Sequence, residues 1–326
     1  MPYFNMSLNR NNINDVIKVF NDNSSFLVIS HVSPDGDTIG SAAALCYALR
    51  SIGKKCVHVF DGSMSHNMSK FEVLTKHIGK QCKCDVVVAV DCADITRLGK
   101  FKDVFENAQN TVVIDHHKTN AGFGSVNYIQ DYPACAQCIF QILDELGIAI
   151  DQNIAQCLYF AFLTDTGRFS HNDVNQMTME YVSRLYDDFD IKISDINREM
   201  YDVRTYSKTK LLAKSLTNLE QWFDGRVTVI FLNNEEYQPF NSEDCDTEGI
   251  VNYALNVEGC KVAIFAYEKS PRTTKVSFRS VDPRYDVSKI AANFGGGGHI
   301  QAAGCTIEQN CDKVKALIYD YIKNMK

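Results

Sequence analysis

Acidic and imidazole side chains follow several short apolar runs in this sequence. His31 comes directly after FLVIS, Asp91 after VVVAV, and the triplet Asp115, His116 and His117 after TVVI. Each run is typical of a buried strand, and the carboxyl ends of parallel strands meet at one edge of a sheet. We therefore expect these residues, which come from distant parts of the chain, to lie close together there.

The segment that follows the first run, HVSPDGDTIGS, adds two carboxylates. A bend at its proline and glycine lets His31, Asp35 and Asp37 point into one space. Asp37 or Thr38 is then expected to cap the helix that follows. The alternative is an ordinary capped strand-to-helix turn. A cap needs one oxygen, however, and this loop supplies two carboxylates and an imidazole.

Asp165 ends another apolar run, in LTDTGRF, and is a further candidate oxygen ligand. The candidate ligands, enough for two divalent cations that share one carboxylate, are His31, Asp35, Asp37, Asp91, His116 and Asp165. Crowded carboxylates repel one another, and cations relieve that repulsion. A carboxylate-rich set with imidazole suits Mn²⁺ or Mg²⁺, with iron, cobalt or zinc as alternatives. Two ions ~3.5–4 Å apart would clamp a phosphate and its leaving oxygen, so phosphoryl hydrolysis is the expected reaction.

The elements that position these residues form two blocks. The strands predicted in the first block are Phe26–Ser30, Cys56–Phe60, Val86–Val90 and Thr111–Ile114, and its helices are Ile39–Ile52, 134–147 and 153–163. Their alternation predicts an α/β fold with a parallel sheet covered on both faces. After a polar helical stretch, strands such as Val227–Leu232 and Lys275–Arg279 are separated by turn residues. We predict an N-terminal parallel-sheet domain at 1–189, a helical linker at 190–219 and a smaller mixed α/β domain at 220–326.

Composition and charge limit the class of protein. The 326 residues suggest about two domains, and 45% apolar with 22% charged residues is typical of a globular protein. A net charge of −7 disfavours a protein that grips long nucleic acid, so we expect no long duplex partner. No apolar stretch reaches the ~20 residues of a membrane span, and the N-terminus has no apolar signal core. We therefore expect a cytoplasmic protein without a membrane partner.

Twelve cysteines occur at irregular spacing, several of them inside apolar runs. This pattern indicates reduced, buried thiols rather than a disulfide framework. A zinc site made from Cys82-x-Cys84 and Cys135-x-x-Cys138 is the alternative, although the spacing is not that of a regular pair of pairs.

Six ordered motifs resemble those of one family of phosphoesterases. HVSPDGDTIGS, VDCAD, DHHKTN and LTDTGRF resemble the four motifs of the DHH phosphoesterase superfamily. VSFRS and FGGGGHIQAAG resemble the signature of its DHH-associated C-terminal domain. The resemblance extends over essentially the whole chain and is closest to the stand-alone type that acts as an oligoribonuclease and 3′-phosphoadenosine 5′-phosphate phosphatase.

The resemblance implies a two-domain phosphoesterase with two divalent cations, and it favours Mn²⁺ over other metals. The implied metal ligands are His31, Asp35, Asp37, Asp91, His116 and Asp165. Asp91 would bridge the two ions, Asp115 would orient neighbouring groups, and His117 would meet the scissile phosphate or its leaving group.

Two features of the first block stay open. Near residue 135, many relatives carry a Ser/Thr pair and a Glu where this chain has Cys135, Ala136 and Cys138. Arg97, six residues after Asp91, would either reach a phosphate or brace the strand-to-helix loop.

The glycine run Gly295–Gly298 lets the backbone approach a ligand closely and can turn successive N–H groups toward an anion. A flexible turn is the alternative. The guanidinium of Arg279 suits a phosphate. The residues that the resemblance assigns to substrate binding are Arg279, Ser280, Gly296, Gly297, Gly298 and His299. The first domain would thus cut the substrate, and the second would hold its terminal nucleotide or phosphate.

The resemblance implies two-metal hydrolysis of phosphoester bonds in short nucleotides. These are RNA of two to five nucleotides, linear dinucleotides such as pApA, and 3′-phosphoadenosine 5′-phosphate (pAp). A phosphodiesterase of cyclic dinucleotides such as cyclic di-AMP is the alternative enzyme, and a non-catalytic nucleotide-binding protein is the alternative outside enzymes. The expected partners are short oligonucleotides or mononucleotide bisphosphates, and the resemblance suggests a homodimer.

Overall fold

The computed structural model describes residues 12–171, 173–240 and 247–324. The chain forms two compact units, one up to Asp202 and one from Val203 onward. The break lies within the stretch 190–219, where the sequence predicts a linker.

The first unit is built on a five-stranded parallel sheet. Its strands are β1 Ser25–Ser30, β2 Lys55–Val59, β3 Val86–Val90, β4 Thr111–Asp115 and β5 Val126–Ile129. Its helices are α1 Ile13–Asp22, α2 Gly36–Ser51, α3 His66–Ser69, α4 Glu72–Thr75, α5 Lys102–Glu106, α6 Cys135–Glu145, α7 Gln152–Asp165, α8 Gln176–Asp188 and α9 Ile193–Asn197. The strand order is β2-β1-β3-β4-β5, with every neighbouring pair parallel.

Both faces of this sheet are covered. In β3, Val86, Val88 and Val90 pack into one apolar core, while Val87 and Ala89 pack into a second core on the opposite face. Continuous apolar strands predict this arrangement, because a parallel strand with helices on both sides exposes neither of its faces. The parallel sheet predicted for this unit is confirmed.

The strand register brings the polar residues that end the strands to one edge. Ser30 pairs with Val90, and Val90 pairs with Ile114. Since each pair lies at the carboxyl end of its strands, the next residues, His31 and Asp91, emerge side by side.

Helix α2 begins at Gly36, before the predicted start at Ile39. Asp35 is its N-cap, and Asp35 Oδ1 accepts a hydrogen bond from Thr38 N at 3.1 Å. The expectation that Asp37 or Thr38 caps this helix was wrong. The Asp35 oxygen already satisfies a free N–H of the first turn, so Asp37 lies within that turn.

The second unit contains a six-stranded mixed sheet. Its strands are β6 Leu219–Trp222, β7 Val227–Leu232, β8 Val262–Ser270, β9 Thr273–Ser280, β10 Gly297–His299 and β11 Ala302–Ile307. Its helices are α10 Tyr206–Thr217, α11 Asn234–Tyr237, α12 Ile250–Leu255, α13 Val287–Asn293 and α14 Cys311–Asn324. The order is β10-β11-β9-β8-β7-β6, in which only the pairing of β7 with β8 is parallel among the described strands. The predicted mixed α/β architecture is confirmed.

The cysteines of the described residues are free thiols. Nine of these eleven are buried, whereas Cys82 is exposed and Cys84 is partly exposed. Cys245 lies outside the described residues.

Helix length bears on the question of membrane spans. The longest helix of the first unit, α2, has 16 residues, whereas a bilayer span needs ~20. Throughout the part of the chain that the structure describes, no helix is both long and apolar enough to cross a bilayer.

Candidate metal centre

The six predicted ligands lie close together at the carboxyl edge of the parallel sheet. They form overlapping groups in which one potential ligand atom from each residue lies within 4.8 Å of the others. The groups are His31 with Asp35 and Asp91, Asp37 with His116 and Asp165, and Asp91 with His116 and His117. Among the described residues, no group of this kind includes a cysteine, so the thiols proposed as an alternative zinc site do not converge.

Asp91 joins two of these groups through its two carboxylate oxygens. Its Oδ2 lies 3.8 Å from His31 Nε2, and its Oδ1 lies 3.2 Å from His116 Nε2. Oδ1 is buried and accepts no hydrogen bond from any described residue. A buried carboxylate oxygen that accepts no well-formed hydrogen bond needs a positive charge beside it, which is either the proton on His116 Nε2 at 3.2 Å or a cation in its place. The donor set at this position therefore fits a divalent metal ion.

The backbone of Asp91 is unusual. Its φ of 57° lies in the left-handed region, which a residue other than glycine seldom adopts. Asp91 N still donates to Ile114 O at 2.9 Å, so the sheet holds this conformation in place. Such backbone strain clusters at functional sites, where it aims a side chain that a regular strand end would direct elsewhere.

Asp37 is held by the start of helix α6. Its Oδ2 accepts a hydrogen bond from Cys135 N at 2.6 Å, and its Oδ1 accepts from Ala136 N at 3.1 Å and from Ser41 Oγ at 2.8 Å. The first N–H groups of a helix have no partner inside it, and Ala134 cannot cap them. The backbone at 135 and 136 therefore supports Asp37, whichever side chains stand there. The cysteine and alanine side chains at these positions therefore leave this support intact.

Backbone carbonyls orient the two imidazoles of the site. His116 Nδ1 lies 2.9 Å from Tyr132 O, and His31 Nδ1 lies 2.8 Å from Val32 O. When Nδ1–H donates to a carbonyl, Nε2 is free to bind a metal, an arrangement common in metal-ligating histidines. Arg97 Nη2 also lies 3.0 Å from His31 Nδ1, and because a guanidinium only donates, this contact and the one with Val32 O are alternatives set by the His31 tautomer.

Asp115 and His117 form a pair beside the ligands. Asp115 is fully buried, its Oδ1 lies 2.8 Å from His117 Nδ1, and its Oδ2 accepts a hydrogen bond from Asn120 Nδ2 at 2.6 Å. The bond to Asp115 raises the pKa of His117 above its ordinary value. Asn120 was not among the predicted site residues. Its place at the end of DHHKTN was the only signal that could have identified it.

The site carries an excess of negative charge. Burial, followed by the charges of Asp91 and Asp165, raises the pKa of Asp37 well above its usual range. Burial also raises the pKa of Asp165 to about 6. Burial by itself would lower the pKa of His116, but the surrounding carboxylates, Asp91 first, raise it to about 11. The carboxylates thus keep His116 protonated when no metal is bound. A bound cation would supply the positive charge that this proton otherwise provides.

In the second unit, the sheet register groups part of the predicted substrate-binding set. Arg279 pairs with Ala302, and Ala302 pairs with His299 on the next strand. Paired residues project from the same face of a sheet, so Arg279 and His299 share one face. Ser280 projects from the opposite face and is buried, with Oγ 3.4 Å from Asp282 O. The structure therefore does not bring Ser280 to the face of Arg279.

The glycines of this region differ in what surrounds them. A Cβ on Gly296 would lie 2.7 Å from Cys305 Cα, and one on Gly298 would lie 2.5 Å from Ala302 O. Close packing of β10 on β11 therefore requires glycine at both positions. A Cβ on Gly297 would lie within 4 Å of no residue that the structure describes. Space for a ligand is therefore open at Gly297.

The family is defined by matches in both units. Residues 25–162 match the DHH family, N-terminal domain, and residues 224–324 match the DHHA1 domain. The chain belongs to the DHH family, and the resemblance read from its motifs is confirmed.

Individual relatives cover most of the chain. It is 30% identical over 286 residues to the bifunctional oligoribonuclease and PAP phosphatase NrnA of Thermus thermophilus, which covers 86% of this chain and 83% of that protein. It is 27% identical over 308 residues to the probable bifunctional oligoribonuclease and PAP phosphatase NrnA of Streptococcus mutans, with coverages of 92% and 94%. The crystal structure of an exopolyphosphatase-related protein from Bacteroides fragilis has a similar fold, with a TM-score of 0.84, 26% identity and coverages of 95% and 96%.

Proposed function

We propose that this chain is a metal-dependent hydrolase that cleaves phosphoester bonds in short nucleotides. The proposed substrates are RNA of two to five nucleotides, linear dinucleotides such as pApA, and pAp. The names of the relatives from Thermus thermophilus and Streptococcus mutans support this substrate class over cyclic dinucleotides. The observation that carries the proposal is the buried carboxylate of Asp91, whose two oxygens face different imidazoles.

The proposed cofactor is a pair of Mn²⁺ ions. His31 and Asp35 would hold one ion, the group formed by Asp37, His116 and Asp165 would hold the other, and Asp91 would be shared. When bound, such ions polarise the phosphate and lower the pKa of the attacking water. Mostly oxygen ligands with some imidazole favour Mn²⁺ over softer metals.

His117 is the proposed proton donor to the leaving oxygen. Its Nδ1 is occupied by Asp115, which leaves Nε2 as the atom available to substrate, and the side chain is 41% exposed. Because the bond to Asp115 raises the pKa of His117, the ring stays protonated closer to neutral pH. A positioned acid of this kind is suited to protonate an alkoxide as it departs.

The second unit is proposed to recognise the substrate. Arg279 and His299 lie on the same face of the sheet, and the backbone at Gly297 is open to a ligand. A few contacts of this kind suffice for a short substrate on a protein with a net charge of −7. We assign catalysis to residues 1–189, substrate recognition to 220–326 and the connection to 190–219. The homodimer stays a prediction.

The test is Mn²⁺-stimulated release of phosphate from pAp, with Asp91→Asn as the inactive variant. Asp131→Asn is the matched control, because Asp131 is exposed and pairs with Lys118 rather than with a histidine. We expect the control to keep full activity and Asp91→Asn to lose at least 100-fold. Equal inertness of wild type and Asp91→Asn on pAp, pApA, cyclic di-AMP and RNA of two to five nucleotides would refute the proposed function. Turnover of cyclic di-AMP alone would favour the alternative enzyme.

A further inference from the structure

Two histidines of the first unit are buried and lie outside the DHH motifs. His58 is fully buried and His77 is 8% exposed. The ring of His58 makes one polar contact, from Nε2 to Ser30 Oγ at 2.8 Å. The other three ring nitrogens of the pair have no hydrogen-bond partner among the described residues. Burying an imidazole costs free energy unless its nitrogens are hydrogen-bonded. The one hydrogen bond of the His58 ring, to Ser30, is therefore the feature to explain.

Ser30 is the centre of a buried hydrogen-bond network. Its Oγ lies 3.0 Å from Thr38 O in the first turn of α2. Thr38 Oγ1 in turn donates to Val90 O at 3.0 Å and lies 3.4 Å from His31 N. These bonds connect the end of β1, the start of α2 and the end of β3. The proposed ligands on these three segments are His31, Asp35, Asp37 and Asp91.

The direction of these bonds follows from the number of protons. The Ser30 hydroxyl has one proton, which it donates to Thr38 O, so Oγ accepts from His58 Nε2–H. His58 Nδ1 is then an unpaired acceptor, which is more readily tolerated in a buried site than an unpaired N–H. Burial lowers the pKa of His58 to about 3, so the ring is neutral around pH 7.

We propose that His58 is a positioning residue for the metal site. By donating Nε2–H to Ser30, it orients the hydroxyl that holds the first turn of α2 against the ends of β1 and β3. The inference rests on the proposed function, because it takes the carboxylates of that turn and the residues after those strands to be metal ligands. His58 itself is not one of the proposed ligands and acts through Ser30.

The test compares variants of the two buried histidines. His58→Phe keeps a buried ring and removes the donor, whereas His58→Gln keeps an amide N–H that can reach Ser30. His77→Phe is the matched control, because the ring nitrogens of His77 bond to no described residue. We expect the Mn²⁺ dissociation constant, measured by titration calorimetry, to rise 10- to 100-fold in His58→Phe. In His58→Gln, the affinity for Mn²⁺ should recover by at least half of that loss on a logarithmic scale. In His77→Phe, the dissociation constant should stay within threefold of the wild-type value.

Equal losses of Mn²⁺ affinity in His58→Phe and His77→Phe would overturn the proposal, since they would indicate a general packing effect. Unchanged affinity in His58→Phe would overturn it as well. If His58→Phe does not fold, Ser30→Ala removes the same bond from the other side and is expected to weaken Mn²⁺ binding to the same degree.

A measurement on the wild-type chain separates this inference from the proposed function. Side-chain ¹⁵N NMR should report His58 as the neutral Nε2–H tautomer between pH 6 and 8. An Nδ1–H tautomer would refute the positioning role even if the enzyme is active. The expected tautomer in a chain that is inert on pAp, pApA, cyclic di-AMP and short RNA would instead refute the proposed function and leave the tautomer assignment standing.

Discussion

The affinity of the site for Mn²⁺ should depend steeply on pH, because the metal must displace a proton from His116. Imidazole binds a metal only when Nε2 is unprotonated. The carboxylates around His116 raise its pKa to about 11, so at neutral pH the ring is protonated in the metal-free protein. A raised pKa means that the proton is released only on binding, and affinity therefore increases as the pH rises.

The magnitude follows from that pKa. At pH 7.5, removing a proton from a group of pKa about 11 costs roughly 5 kcal/mol, since each unit corresponds to ~1.36 kcal/mol. The dissociation constant should accordingly fall at least tenfold for each pH unit from 6.5 to 8.5. A histidine of ordinary pKa, ~6.5, would give a plateau above pH 7. Below pH 6 the slope should steepen further, because the pKa of Asp165 is raised to about 6.

The assay is calorimetric titration of metal-free protein with Mn²⁺ at half-unit pH intervals, in buffers of different ionisation enthalpy that report proton release directly. At least one proton, that of His116, should be released on metal binding near pH 7.5. His66→Gln, a change in an exposed histidine, is the control that should keep the slope. His116→Asn should bind more weakly and lose the slope above pH 7. A wild-type affinity that is constant between pH 7 and 8.5 would refute the charge balance described for this site.

Three further outcomes are expected. Arg279→Ala and His299→Ala should each raise the KM for pAp at least tenfold in steady-state assays, without changing Mn²⁺ affinity, and a loss of metal would contradict the division of labour between the units. Gly298→Ala should lower the melting temperature by several degrees because its φ of 145° and a Cβ 2.5 Å from Ala302 O are both unfavourable, whereas Gly297→Ala should melt like wild type. The pKa of His58 is lowered to about 3 in the folded chain, whereas the unfolded chain has the ordinary value of ~6.5. The neutral ring therefore stabilises the fold fully above pH ~6.5, and this stabilisation is lost as the pH falls. The difference in unfolding free energy between wild type and His58→Phe, from urea titrations, should narrow by about 2 kcal/mol between pH 8 and pH 5, and an unchanged difference would contradict the neutral ring.

The elements that sequence patterns predicted best are those with strong local signals. The run VVVAV matches β3 at both ends, and Val227–Leu232 matches β7, because long apolar β-branched runs occur in buried strands. Strands β5, β6, β10 and β11 were not predicted, and β5 and β10 show why. β5 has four residues, and β10 is Gly-Gly-His, so neither has the length or side chains that distinguish a strand from a turn.

The candidate site also contains residues with a strong local sequence signal and residues without one. Its candidate ligands were predictable because each follows an apolar strand, stands in the loop after the first strand, or ends an apolar helix. His58 was not, because one histidine in a short apolar run resembles any buried core residue. Its role becomes visible only through the Ser30 contact between β2 and β1.

The sequence by itself determined the two-block α/β architecture, the strand ends that carry the candidate metal ligands, and the family. These follow from local hydrophobic patterns and from motifs whose residues are close together in the chain. The tertiary structure decided the rest: Asp35 rather than Asp37 caps α2, Asp37 is held by amides 98 and 99 residues further along, and Ser280 faces away from Arg279. Those outcomes depend on hydrogen bonds and strand pleats that exist only once distant backbone segments have packed together.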